Sequence, residues 1–244
     1  NCGFCAQARE SKSSNTLLSR VTWPSFPTEE VIPALQNAVN QKKIRRVCIQ
    51  ALNYPLVFGH LEELVREIKE HSPVAVSVSC QPRNREDMEH LRRAGADRLG
   101  IALDAATERL FNKVKGKETG NAYTWENQIN QLKEAIAIFK GENVSTHLIV
   151  GLGETEKEAV EIIQRCFDMG VLLALFAFTP IRGTALEHHL SPKVESYRRV
   201  QLARYLIVTG KTKMLDMTFN DSCEITDFGL SRDALKPIIE STRP

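Results

Sequence analysis

The chain has 244 residues, a formal net charge of +2 and 25% charged side chains, length enough for one large α/β domain with a substantial core. A charge balance this even gives no basis for nucleic acid or an anionic membrane as a bulk partner, and no run of about 18 apolar residues marks a membrane span. Cysteines at positions 2, 5, 48, 80, 166 and 223 are too scattered for a secreted disulfide scaffold, so a reducing cytoplasm is the expected location.

The chain opens on Asn1-Cys2-Gly3-Phe4-Cys5-Ala6-Gln7-Ala8. Two thiols set two residues apart around an aromatic can hold zinc, ligate an iron–sulfur cluster or run thiol–disulfide exchange. Residues 9–27 are polar, with Ser and Pro, and read as a long loop. Thr28-Glu29-Glu30 starts a helix whose apolar face is Val31, Ile32, Leu35, Ala38 and Val39. A strand over 44–52 is closed by Asn53-Tyr54-Pro55, and Leu61, Leu64, Val65 and Ile68 mark the next helix. A buried strand over 74–80 follows, then a helix over 85–94 stopped by Gly95, as a C-cap glycine predicts. The third strand spans 98–104. A mixed segment, 105–124, carries Lys113, Lys115 and Lys117, read as a solvated basic loop where an acidic partner can dock. Beyond it come a helix (125–140), a strand (144–150), a turn at Gly151-Leu152-Gly153 and a helix (156–169) closed by Gly170. The remaining expected elements are a strand over 171–178, a helix over 194–208, a strand over 213–219 and a helix over 233–240.

Strand–helix alternation with short connections predicts a parallel sheet. The expected closure is a (β/α) TIM-type barrel, complete or partly open, forming one domain over 1–244. Its first strand would precede Asn1, so the sequence is expected to be trimmed at the N-terminus, with the C-terminus a second candidate for trimming.

In such a barrel the active site lies where strands end. Cys48 and Cys80 sit at or near the ends of consecutive strands, Asp104 ends the third, 151–154 follow the fourth, and Thr179-Pro180 the fifth. A single cysteine in an apolar strand is usually a small core hydrophobe, but recurrence at strand ends makes Cys48 and Cys80 candidate ligands; Cys166, mid-helix among Ile162, Ile163 and Phe167, is read as core. Asp104 also suits the N-cap of the next helix. His147 is either a buried core histidine or a proton handler, and His188-His189 a solvated pair.

Cys2-Gly3-Phe4-Cys5-Ala6-Gln7-Ala8-Arg9 and Ile149-Val150-Gly151-Leu152-Gly153-Glu154-Thr155 together resemble the biotin synthase branch of the radical S-adenosylmethionine (SAM) enzymes. The resemblance implies that Cys2 and Cys5 are the second and third cysteines of a Cys-x3-Cys-x2-Cys loop, the first lying upstream of Asn1. Three thiolates would hold a [4Fe–4S] cluster with one iron left for SAM. An external donor would then supply the electron that splits SAM into methionine and a 5′-deoxyadenosyl radical. It further implies that Phe4, Ile149, Phe178 and Thr179 border adenine, Asp104 binds the ribose hydroxyls, Ala51 presents backbone to the SAM amino group, and Gly151 permits close backbone approach.

Biotin synthases hold a second, auxiliary iron–sulfur cluster as sulfur donor. By the same resemblance Cys48 and Cys80 match two of its ligands, the third cysteine position falls on Ser145, the arginine has no counterpart in 215–220, and Cys223 is the candidate to complete the set. Where the family uses asparagines to hold a ureido ring, this chain has Ala102 and Phe176, and an unpaired ring would cost ~1–3 kcal/mol per lost partner. An apolar acyl chain suits the site better. The expectation is therefore sulfur insertion into a small acyl substrate or an octanoylated carrier protein, as in the small subunits of two-component lipoyl synthases, with a second radical SAM subunit as partner. The alternatives are biotin synthase itself, a relative without a sulfur donor (methylornithine synthase or hydrogenase maturase type), and a non-catalytic zinc adaptor on Cys2 and Cys5.

Overall fold

Alternating burial decides which segments build the central sheet. The structure, a computed structural model, describes residues 1–14, 16–18 and 21–240. Within the expected loop 9–27, whose positions 15, 19 and 20 lie outside the described residues, β1 (Leu17–Leu18) pairs antiparallel with β2 (Val21–Thr22). Thereafter strands and helices alternate: α1 (Thr28–Asn40), β3 (Arg46–Gln50), α2 (Val57–His71), β4 (Ala75–Ser79), α3 (Arg85–Ala94), β5 (Arg98–Gly100), α4 (Glu108–Val114) and α5 (Trp125–Phe139). They continue with β6 (Val144–Val150), α6 (Glu156–Asp168), β7 (Leu172–Ala177), α7 (Val194–Val208), β8 (Thr218–Phe219), β9 (Ile225–Asp227) and α8 (Arg232–Glu240).

Strands β3 to β7 form one five-stranded parallel sheet in sequence order, with each neighbour reached through at least one helix. This is half of a (β/α) barrel. Its two faces differ in chemistry because side chains alternate along each strand. Val76 and Val78 on β4 and Val144, Thr146, Leu148 and Val150 on β6 are buried against the helices, whereas Ser77, Ser79, Ser145, His147 and Ile149 stay half-buried on the opposite, concave face. Register puts Gln50, Ser79, Gly100 and Ser145 in one row across four strands. A Cβ on Gly100 would stand 3.1 Å from the Ser79 Oγ and 3.2 Å from the Ser145 Oγ, so both hydroxyls project from that face.

Helix ends are set by local side chains. Asn84, Thr107, Thr124 and Thr155 each accept from a backbone amide of the first turn they cap, and Thr155 forms a full capping box with Glu158; such caps contribute ~1 kcal/mol each. Gly95 closes α3 at φ +111°, as its position predicted.

The strand expected over 213–219 does not join the sheet. Residues Met214–Asp216 make a 3-10 turn, closed because Asp216 Oδ2 accepts from the Lys213 amide at 3.1 Å. Leu215 there is 93% exposed, so its side chain has no core to enter. Only β8 follows, in a separate antiparallel pair with β9. That pair is joined to the barrel by the buried Glu156 carboxylate, which takes the Arg199 guanidinium and, at 2.8 Å, the Ile225 amide. Among the described residues no helix is long and apolar enough to cross a membrane.

Candidate functional site

The opening loop lies over the ends of the strands, fixed on two sides. The Cys5 amide donates to the Cys2 carbonyl at 3.1 Å and the Ala8 amide to the Cys5 carbonyl at 3.1 Å, so both thiols ride on consecutive tight turns. The Gly3 amide donates to the Val114 carbonyl at 2.8 Å, at the end of α4. The Leu186 amide donates to the Gly3 carbonyl at 3.0 Å, and the Lys12 amide to the Gly183 carbonyl at 2.8 Å. Gly183 has φ +85°, and a Cβ there would lie 2.5 Å from the Ser13 nitrogen, so the loop packs directly on glycine backbone.

Beneath the loop is a cavity of about 390 Å³, within the range of small-molecule sites. Phe4, Cys5, Asp104, Ile149, Phe178 and Thr179, all expected from the sequence, line it together. Gln50, His147 and Phe176 join them at the wall. Cys2 opens instead on the neighbouring cleft beside Leu186. Ala51 and Gly151 do not reach the cavity wall. Gln50, one residue before Ala51, does. Gly151 is the hinge of its turn: φ is +104°, its amide donates to Glu154 Oε1 at 2.5 Å, and its carbonyl accepts from His189 Nε2 at 2.8 Å. Glu154 Oε2 takes the Leu152 amide as well, at 3.1 Å. Burial pushes the Glu154 carboxyl above its ordinary value, and these amides offset only part of that.

Asp104 sits at φ +68°, a left-handed conformation unusual for a residue with a side chain. Its backbone is held in a bridge to β6: its amide donates to the His147 carbonyl at 2.8 Å and its carbonyl accepts from the Ile149 amide at 2.9 Å. It does not cap α4, whose N-cap is Thr107. Its Oδ2 lies 2.7 Å from the Nζ of Lys115, which is 2% exposed. The solvated loop expected around Lys113, Lys115 and Lys117 is thus corrected at its centre. Sequence patterning had no signal for this pairing, because its acceptors come from another strand end. His147 stacks edge-on with Phe176 at 5.2 Å, and burial holds its imidazole below the ordinary value, so it presents a neutral ring to the cavity.

The thiol pair suits an iron–sulfur cluster as part of a ligand set. Burial pushes the Cys2 thiol up to about 11, and a cation bound at the sulfur would stabilise its thiolate. Cys2 and Cys5 bring two soft donors to one turn, with Cys5 on the cavity wall. The described residues contain no group of three or more His, Cys, Asp or Glu arranged to hold a metal ion. The auxiliary set is likewise not brought together. Cys48 is exposed on the face shared by Arg46, whose Nη1 donates to the Ser77 Oγ at 3.1 Å. Cys80 lies on the other face, in the helix-packed core, where burial pushes its thiol up to about 12. Cys223 is in the turn between β8 and β9 at φ +59°. Cys166 is core, as expected.

Comparison with known proteins agrees with this geometry. The family model described as the radical SAM superfamily matches residues 1–166. The biotin synthase of Persephonella marina is 27% identical over 191 residues, covering 77% of this chain and 53% of that protein. Among solved structures, the FeFe-hydrogenase maturase HydG from Carboxydothermus hydrogenoformans superposes with a TM-score of 0.61 at 17% identity, covering 87% of this chain and 49% of that one. A methylornithine synthase superposes at 0.62 and 18% identity, covering 86% and 59% respectively. These two likenesses establish the partial barrel. The chain spans about half the length of the curated relatives it matches.

Proposed function

We infer from one premise, that this chain belongs to the radical SAM superfamily, that its cavity binds SAM and that the enzyme abstracts hydrogen from a substrate held on the concave face of the sheet. The observation carrying this is the shared wall. Phe4 and Cys5 from the opening loop, Asp104, Ile149, Phe178 and Thr179 are distant in sequence yet line one cavity. Cys2 and Cys5, with a further ligand, would hold a [4Fe–4S] cluster, which when bound would supply the electron for reductive cleavage of SAM. The chain's own part is to bind and orient. Phe4, Ile149 and Phe178 offer apolar surface to a nucleobase and Asp104 an acceptor to ribose hydroxyls, while the turn at 151–154, locked by Glu154 and His189, fixes the end of the strand that carries Ile149. The loop contributes Phe4 and Cys5 to one side of the cavity.

For the product we propose sulfur insertion, with an octanoylated carrier protein or small acyl compound as substrate and a second radical SAM subunit as partner. Sequence similarity to biotin synthases supports the sulfur chemistry. Phe176, 48% exposed on the cavity wall, supports an apolar chain rather than a polar ring. Ala102, the other position expected to face the substrate, is not part of that wall. One observation favours a second reading. Cys80 faces away from Cys48, leaving a single thiol on the concave face among the described residues, which suits a reaction without a sulfur donor.

Anaerobic reconstitution tests both levels. Dithionite and SAM should yield 5′-deoxyadenosine, lost in Cys2→Ser and Cys5→Ser. Zinc in place of iron, or no nucleoside product, would sink the radical reading. Iron near eight per chain supports an auxiliary cluster and iron near four the second reading, on the order expected for two or one cubane-type clusters.

A further inference from the structure

Among the described residues Lys115 is the only buried lysine or arginine, 2% exposed, and it stands directly behind Asp104 of the cavity wall. Its ammonium donates to Asp104 Oδ2 at 2.7 Å and also to the Ala102 carbonyl. That same carbonyl accepts from Gln128 Nε2 at 3.0 Å and Gln81 Nε2 at 3.3 Å, so the end of the β5 segment is pinned from three sides. Lys115 is itself held through its backbone, its carbonyl accepting from Asn121 Nδ2 at 2.7 Å. A buried ion pair is a weak way to stabilise a fold compared with apolar packing of the same volume. Here it supports a carboxylate on a left-handed, strained backbone that faces the cavity, and strain of this kind gathers at functional positions.

We propose that Lys115 is a positioning residue for the nucleoside: it holds Oδ2 of Asp104 and so turns Oδ1 into the cavity as the acceptor for a vicinal ribose diol. Among the described residues nothing else bonds to the Asp104 carboxylate. The pair divides the work, one oxygen for the protein and one for the ligand. A carboxylate fixed in this way loses little rotamer freedom when the ligand arrives. The inference rests on the reading of the cavity as a SAM site and adds to it a residue with no contact to the ligand.

The test uses the reconstituted enzyme and two ligands, SAM and a SAM analogue lacking the 2′- and 3′-hydroxyls, with affinity read by equilibrium dialysis. Lys115→Met should weaken SAM by about tenfold or more, the loss of an oriented charge-assisted bond, with iron content unchanged. Affinity for the dideoxy analogue should change by less than about twofold, and in an Asp104→Asn background Lys115→Met should add less than about twofold, since coupled residues do not sum. Equal losses for both ligands, or losses that add across the two sites, would overturn the proposal. Should Lys115→Met not fold, Lys115→Arg keeps the charge and displaces it. The ratio of SAM to analogue affinity must then fall, and an unchanged ratio would be fatal. Wild-type enzyme that binds no SAM would instead remove the parent reading, and this inference with it.

Discussion

Gly151 offers a sharp test of the turn that closes the end of β6. Replacing it with Ala demands a side chain at φ +104°, and the new Cβ would lie 2.5 Å from Pro192 Cδ and 3.0 Å from its Cγ. The backbone penalty is ~1–3 kcal/mol. A pyrrolidine ring cannot rotate away, so crowding adds about 1–3 kcal/mol. For a domain of this size the sum corresponds to a fall in Tm of roughly 4–24 °C, read by circular dichroism. Gly153 is the internal control. Its φ is +115°, but a Cβ there would meet only Leu110 Cδ2 at 3.5 Å, an ordinary contact, so Gly153→Ala should show the backbone penalty alone, about 1–3 kcal/mol. Pro192→Ala in the Gly151→Ala background should recover the difference. Equal shifts for the two glycine variants, or no recovery on trimming Pro192, would refute the reasoning.

Three further outcomes are expected. Glu156→Gln breaks a buried carboxylate's contacts with Arg199 and the Ile225 amide; with Arg199 still partly exposed, about 2 kcal/mol should be lost, less than for a fully buried pair. Burial alone would raise the Glu156 carboxyl, but Arg199 and Ile225 more than offset this and hold it below its ordinary value. Its stabilisation is therefore present above the unfolded value and lost as pH falls through the folded one, so the variant's deficit in urea midpoint should shrink on acidification. Glu154 behaves oppositely. Its raised value means that its contribution is present below the unfolded value and lost as pH rises through the folded one, so Glu154→Gln should gain on wild type as pH increases; parallel pH slopes for the two variants would contradict both assignments. Gly100→Ala should leave the urea midpoint within ~1 kcal/mol, because the Ser79 and Ser145 hydroxyls it meets at 3.1 and 3.2 Å can rotate; a larger loss would mean that those hydroxyls are fixed.

The elements legible in the sequence were those written in local patterns. Apolar runs such as 74–80, the helical spacing of Leu61, Leu64, Val65 and Ile68, and the stop at Gly95 located strands and helices because period and capping are short-range. Strand ends then pointed to Asp104 and Thr179, and the family resemblance to Ile149 and Phe178; all four line the cavity. The misses have two causes. Face assignment turns on single residues: Gln50 rather than Ala51 reaches the wall, and Cys80 falls on the core side while Cys48 does not. Tertiary partners are invisible locally. Lys113 and Lys117 read as a solvated run that included Lys115, yet Asp104 and Ala102 draw that ammonium inside. The apolar residues at 214 and 215 suggested a sixth sheet strand, but Asp216 closes a turn there instead.

Gly3 acts as a rung shared by two distant parts of the chain, giving its amide to Val114 and its carbonyl to Leu186. Lifting the opening loop off its two supports requires this rung to let go at both rails. The protons on the Gly3 and Leu186 nitrogens should accordingly trade with deuterium at a common rate, set by a single breathing event rather than two.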